Sequence, residues 1–220
     1  MKRSILIATL LSALVAAGLA HGAISVFKTS FDTRADYRSI EELPGNEKEC
    51  RRSWREKTAV GVATEGGKID CALATPVEGD ADQPDHIVQA RAKVTKRTDK
   101  KVRRYAYVGV SVRTNRKEGY ELRIFPKARH WQLLKSGEVL EQGRSSEIEG
   151  LSRKNRLQIS ALGDRIKAKV NGRKLAEFRD QNAEQVDGRK TGLTYGDRKR
   201  SRHAKVKAFF DKLKVQVPVP

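Results

Sequence analysis

Tyr105, Tyr107 and Arg113 fall on one side of an alternating run, and Glu121, Arg123 and Phe125 on one side of the next. Aromatic rings offer apolar faces, while guanidinium and carboxylate groups offer planar, paired hydrogen bonds. Together they suit a polyhydroxylated ligand such as a sugar, held by stacking and directional polar contacts. Trp131 and Tyr195 would extend that platform if they share its face. The opposing expectation for aromatic residues is core, and Trp54 and Phe210 are read that way. Cations crowd two other stretches: Lys96, Arg97, Lys100, Lys101, Arg103 and Arg104, then Arg198, Lys199, Arg200, Arg202, His203 and Lys205. Two such loops could clamp an anionic polymer, although a charge run is usually just a wet loop.

Covalent chemistry finds less support. Glu147 and Glu149 are the nearest acid pair, but they lie in a turn-like stretch and read as solvated charge. His21, His86, His130 and His203 are far apart and show no metal-ligand spacing. No Gly-x-Ser-x-Gly elbow occurs. Cys50 and Cys71 are the only cysteines. In an oxidising compartment they would bridge, closing a loop of about 20 residues and contributing roughly 3 kcal/mol by chain entropy. The other reading is two buried free thiols.

The compartment follows from residues 1–23. Lys2 and Arg3 form a positive start, an apolar stretch runs from Ile5 to Leu19, and small residues at Gly18 and Ala20 suit cleavage after Ala20. An uncleaved membrane anchor over residues 5–27 is the competing reading, because about 20 apolar residues suffice to span. Either way the remaining domain, residues 24–220, is expected to be secreted or extracytoplasmic. The chain carries 46 Lys and Arg against 27 Asp and Glu, a net charge of +19. Losing Lys2 and Arg3 with a leader would leave +17. That field attracts polyanions and says nothing about fold.

Strand patterns must position these groups. Val88, Ala90, Ala92 and Val94 share one face of a run; Ala106, Val108, Val110 and Val112 share one face of another. Period two marks strands, because successive side chains leave a strand on opposite sides. Further strands are expected at residues 120–125, 130–135, 156–162, 164–170, 174–178, 192–196 and 205–217. Asn171-Gly172 between alternating runs predicts a tight hairpin. Residues 58–63 and 68–73 could add two strands. A break is expected at Ser136-Gly137.

The succession Val108-Gly109-Val110-Ser111-Val112-Arg113, Gly119-Tyr120-Glu121-Leu122-Arg123-Ile124, Trp131-Gln132-Leu133, Asn155-Arg156-Leu157, Ile166-Lys167-Ala168-Lys169-Val170-Asn171-Gly172, Gly192-Leu193 and Phe210-Asp211-Lys212-Leu213-Lys214-Val215 resembles bacterial concanavalin A-like lectin/glucanase domains. The laminin-G-like and keto-disaccharide-hydrolase-like branches are included. The resemblance covers residues 86–217, with Phe27 to Asp32 similar to the family's first strand. It implies an all-β jelly-roll sandwich of two antiparallel sheets, one concave, whose face or rim loops often bind sugar. Its endo-glucanases carry Glu-x-Asp-x-x-Glu on one strand, which this sequence lacks. Laminin-G-like relatives often hold calcium; Asp80, Asp82 and Asp85 are weak candidates for it, and three acids alone do not complete a shell of about 6–8 oxygens.

A non-catalytic binding domain for a polysaccharide or cell-envelope glycan is therefore expected. An electrostatic adhesin for anionic polymers is the alternative, and a glycoside-processing enzyme of the same fold the third reading. Membrane contact is expected only through an uncleaved N-terminal segment.

Overall fold

The computed structural model describes residues 23–42, 49–55, 59–64, 70–78, 85–115, 118–183, 186, 188–199 and 204–218. Residues 1–22, which hold nearly all of the expected leader or anchor, lie outside them. Ala23 to Phe27, the end of the longer anchor reading, are part of the first strand.

In chain order the elements are β1 (Ala23–Thr29), α1 (Arg34–Arg38), β2 (Glu41–Glu42), β3 (Cys50–Arg55), β4 (Ala59–Thr64) and β5 (Asp70–Glu78). Then come β6 (His86–Val94), β7 (Ala106–Thr114), β8 (Tyr120–Phe125), β9 (His130–Lys135) and β10 (Glu138–Arg144). The chain closes with β11 (Asn155–Leu162), β12 (Arg165–Val170), β13 (Arg173–Arg179), β14 (Lys190–Asp197) and β15 (Lys207–Pro218). The short helix α1 starts at a capping box, in which Thr33 and Asp36 satisfy each other's backbone N–H groups.

One sheet has eight strands in the order β13-β12-β11-β6-β15-β4-β3, with β1 also on β15. The other has seven, in the order β10-β9-β8-β7-β14-β5-β2. Each sheet presents its apolar face to the other. Val88, Ala90, Ala92, Leu157, Ile159, Ile166 and Ala168 come from the first, and Val108, Val110, Leu122, Ile124, Leu133 and Leu193 from the second. The period-two runs thus become the inner faces of an all-β jelly-roll sandwich, as the alternation predicts.

Asn171-Gly172 makes the expected tight turn between β12 and β13, with φ of 49° and 92°. Ser136-Gly137, expected only as a break, makes the same kind of turn, with φ of 50° and 85°. It feeds the edge strand β10. That strand lacks alternation because both Val139 and Leu140 are exposed, so no pattern announced it.

Cys50 and Cys71 are bridged, with Cα atoms 5.8 Å apart. Cys50 belongs to β3 and Cys71 to β5, so the bond staples one sheet to the other.

Candidate functional site

The outer face of the seven-stranded sheet collects polar groups from several strands. On β8, Tyr120, Leu122 and Ile124 take the inner face, which turns Glu121, Arg123 and Phe125 outward. On β7, Val108 and Val110 face inward and Tyr107, Gly109 and Ser111 outward. Gly109 stands opposite both Arg123 of β8 and Thr194 of β14. Gly196 stands opposite both Tyr107 and Asp70 of β5. Asp70, Tyr107, Glu121, Arg123 and Thr194 therefore meet on one face.

Arg123 is the centre of that meeting. Its Nε donates to Glu121 Oε1 at 2.6 Å and its Nη2 to Glu121 Oε2 at 2.8 Å. Such a fork is the strong, directional form of the ion pair. The same Nη2 reaches Asp70 Oδ2 at 3.5 Å. Tyr107 donates its hydroxyl to Asp70 Oδ1 at 2.7 Å, and Thr194 donates to Glu121 Oε1. The guanidinium carbon lies 4.4 Å from the Tyr107 ring centroid, within cation–π range. Burial opposes the charge on Arg123, but Glu121, then Tyr107 and Asp70, more than offset it and hold the guanidinium protonated. Burial also pushes the Tyr107 phenol well above its ordinary range, so its hydroxyl keeps its proton.

Gly109 makes room for the cluster. A Cβ there would meet Thr194 Oγ1 at 2.3 Å and the Leu122 carbonyl at 2.6 Å. The side chains of Arg123 and Glu121 are only 12% and 15% exposed, whereas that of Asp70 is 36% exposed. The site thus has a fixed interior and a wetter carboxylate edge. Carboxylates aligned in this way can accept hydrogen bonds from vicinal hydroxyls without first ordering their own side chains. Because both acids reach one Nη2, at 3.5 Å and 2.8 Å, those two oxygens lie at most 6.3 Å apart.

Of the residues singled out from sequence, Tyr107, Glu121 and Arg123 are brought together. Tyr105 lies in the turn before β7 and is exposed, with the Lys199 ammonium 5.6 Å from its ring centroid. Trp131 and Tyr195 face the inter-sheet core, opposite Ile124 and Val108 respectively. Arg113 also leaves the face. The β7–β14 register shifts between Lys190 and Gly192, and Arg113 adopts φ +47°. Such a bulge re-aims a side chain. The Arg113 guanidinium is buried and donates to Asp85 Oδ1 at 2.6 Å, the Gly163 carbonyl at 2.7 Å and the Ala183 carbonyl at 3.3 Å. It ties the end of β7 to the opposite sheet.

Asp70 and Thr194 are the members that sequence reasoning missed. Cys71 and Leu73 are core, so period two already places Asp70 and Ala72 outward; that β5 lies beside β14 is a non-local fact.

Asp85, a calcium candidate, spends its oxygens on Arg113 and on the Gly163 N–H at 3.0 Å. Asp80 and Asp82 lie outside the described residues. Among the described residues no group of three or more His, Cys, Asp or Glu side chains is placed to hold a metal. Of the cationic stretches, Lys100, Lys101, Arg104, Arg198 and Lys199 are exposed, and Arg103 is tied to the Lys96 and Thr98 carbonyls. Arg200 and Arg202 lie outside the described residues. The two stretches meet: Asp99 and Lys205 exchange backbone-directed bonds, and Arg198 N–H donates to the Tyr105 carbonyl at 3.1 Å.

No family model matches the sequence, and no curated protein does. Solved structures do match its fold. The carbohydrate-binding module CBM66 from Bacillus subtilis superposes with a TM-score of 0.59 at 16% identity, over 81% of this chain and 95% of that one. A Bacillus subtilis protein of unknown function with a galectin-like fold gives 0.62 at 12% identity, over 90% and 98%. The alginate lyase AlgAT5, from polysaccharide lyase family 7, gives 0.51 at 15% identity, over 77% and 82%. The chain has the jelly roll of concanavalin A-like lectin/glucanase domains. At these identities the likeness is one of fold.

Proposed function

We propose that this is an exported, non-catalytic carbohydrate-binding domain that holds a polysaccharide or cell-envelope glycan on the outer face of its seven-stranded sheet. The observation that carries this reading is the Asp70–Glu121–Arg123 cluster braced over the Tyr107 ring. It offers preordered acceptors and a fixed guanidinium, which is the chemistry that sugar hydroxyls require. Fold neighbours that include a carbohydrate-binding module support it. The cross-sheet disulfide and the apolar leader support export.

Two other readings rest on specific observations. The adjacency of the two cationic stretches favours electrostatic capture of anionic polymers. The closeness of Asp70 and Glu121 favours a hydrolase, since paired carboxylates roughly 5–10 Å apart flank glycosidic bonds in such enzymes. One experiment separates all three. Binding to neutral and acidic polysaccharides is measured at about 50 and 500 mM salt, where screening lengths differ roughly threefold. Salt-resistant binding of a neutral glycan, lost on Glu121→Gln, is the expected result. Binding only to acidic polymers and only at low salt would replace it with electrostatic capture. Release of new reducing ends on prolonged incubation would make the domain an enzyme.

A further inference from the structure

Cross-strand register assembles a row of polar side chains on the outer face of the eight-stranded sheet. Lys169 of β12 stands opposite Lys174 of β13 and Gln158 of β11. Gln158 stands opposite Gln89 of β6, Gln89 opposite Lys214 of β15, and Lys214 opposite Lys28 of β1. Residues paired in this way share a face. Their chain neighbours Leu157, Ala168, Val170, Val88, Ala90 and Val215 are core, so the row points outward. Three strand spacings of about 4.8 Å set Lys169 and Lys214 about 14 Å apart, with the two carboxamides between them.

The acids in the flanking rows are already taken. Glu177 is held by Lys174 at 3.0 Å, Lys167 at 3.1 Å and Arg165 at 3.8 Å. Asp211 is held by Arg91 at 2.7 Å and by Lys154. Lys28, Lys169, Lys214 and, one row away, Arg156 form no ion pair among the described residues. The side chains of Gln89 and Gln158 likewise make no hydrogen bond there. Lys169, Gln158, Gln89 and Lys214 are half-buried. Their stems are thus partly ordered before a ligand arrives, which lowers the ordering cost of binding. Like charge would meet like charge if a second copy used this face, so the face suits a polyanion instead.

We propose that this row is a second binding surface, on which a linear polyuronate lies across the strands. Each uronic acid carries a carboxylate beside free hydroxyls, which an ammonium beside a carboxamide takes together. Sulfate esters replace such hydroxyls and leave the amide oxygens less to accept. The flanking rows argue against two other polyanions. Single-stranded nucleic acid is held by rings on which its bases stack. The row of Lys167, Ser160, Ile87 and Gln216 and that of Arg156, Arg91 and Asp211 contain no aromatic side chain. Anionic membranes are held by protruding apolar side chains beside cations. The one apolar member of these rows, Ile87, is half-buried. The surface belongs to the other sheet from the Asp70–Glu121–Arg123 face and stands whether or not that face holds a glycan.

The test uses the full chain and an oligogalacturonate, titrated at about 150 mM salt, where only close charges still act strongly. Lys169→Ala combined with Lys214→Ala is expected to weaken binding by about tenfold or more, since two charge-assisted contacts are lost. Gln89→Ala combined with Gln158→Ala leaves the charge untouched and is expected to weaken it by about fivefold. Lys100→Ala combined with Lys127→Ala removes two charges from exposed turns elsewhere and is expected to change affinity less than about threefold. Amide shifts on titration, read on the unmutated chain, should centre on Gln89, Gln158, Lys169 and Lys214. No measurable binding would overturn the proposal. Equal losses from the two lysine pairs, or unchanged affinity in the glutamine variant, would replace it with diffuse attraction. Tighter binding of dextran sulfate, single-stranded DNA or phosphatidylglycerol vesicles would overturn the polyuronate assignment. Retained oligogalacturonate binding in Glu121→Gln is expected, and its loss would merge the two sites and overturn their independence.

Discussion

The guanidinium of Arg123 lies over the ring of Tyr107 while both side chains bond the same carboxylate, Asp70. That triangle needs a planar fork, which lysine lacks. Arg123→Lys is therefore expected to lower glycan affinity by about tenfold or more while keeping the charge. Arg123→Ala should also cost stability, about 2–4 kcal/mol, because Glu121 would be left half-buried without its partner. Paired isothermal titration and urea unfolding would separate the two effects.

Gly109 is where the backbone must stay bare. Any Cβ would press on Thr194 and the Leu122 carbonyl and come within 3.2 Å of Glu121 Oε1. Gly109→Ala is expected to lose both glycan binding and about 1–3 kcal/mol of stability, by overpacking. A crystal structure of the variant with Glu121 and Thr194 undisturbed would contradict this.

Arg113 separates stability from binding. Its guanidinium is 4% exposed and holds Asp85, Gly163 and Ala183. Arg113→Ala should cost about 3–5 kcal/mol, the range for breaking a buried ion pair by removing one partner. Glycan affinity per folded molecule should stay unchanged. An affinity loss without a stability loss would put Arg113 in the site instead.

Reading the sequence alone, the alternation in β7 and β8 sorted inward from outward residues because the valines and leucines are unbroken at period two. Glu121 and Arg123 were legible for that reason. Trp131 and Tyr195 were misassigned to the platform, although Leu133 and Leu193, two residues away on the same faces, mark both as core. Arg113 was not legible. Its strand appears regular up to that residue, and the bulge that re-aims it depends on a register shift against β14, some 80 residues on. Asp70 escaped because its significance lies in which strand its neighbour is. Pairings between sequence-distant strands leave no local mark.

Acid should weaken the fold through Asp211 and Asp180. Burial pushes the Asp211 carboxyl up, but Arg91 at 2.7 Å and Lys154 outweigh it and hold it below the ordinary range. Lys135 and Tyr120 do the same for Asp180. A carboxyl depressed in the folded state stabilises above its unfolded value, about 3.9. That contribution is lost as pH falls below this value and through the depressed one. Asp211→Asn is expected to cost about 1–2 kcal/mol at pH 7 and much less near pH 3. Urea midpoints at the two pH values would check it, and an equal cost at both would sink the idea.

Reducing the Cys50–Cys71 bond should lower stability by about 3 kcal/mol. Because Asp70 immediately precedes Cys71 and β5 is otherwise held by β14 and the two-residue β2, glycan affinity should fall as well. Calorimetry with and without reductant, followed by glycan titration of the reduced chain, would test both.

The pairing of Ala23 with Pro218 places the beginning of β1 beside the end of β15. Mechanical tension applied through these two points pulls the strands apart crosswise, so their hydrogen bonds break in succession, as in a zipper. The ladder never shares the force across its length, as strands dragged past each other would. A domain tethered at one of these points and tugged at the other would give first at β1, while the seven-stranded sheet and its Arg123 cluster sit off the line of force. Grip on a glycan could then outlast the first mechanical yield of the fold.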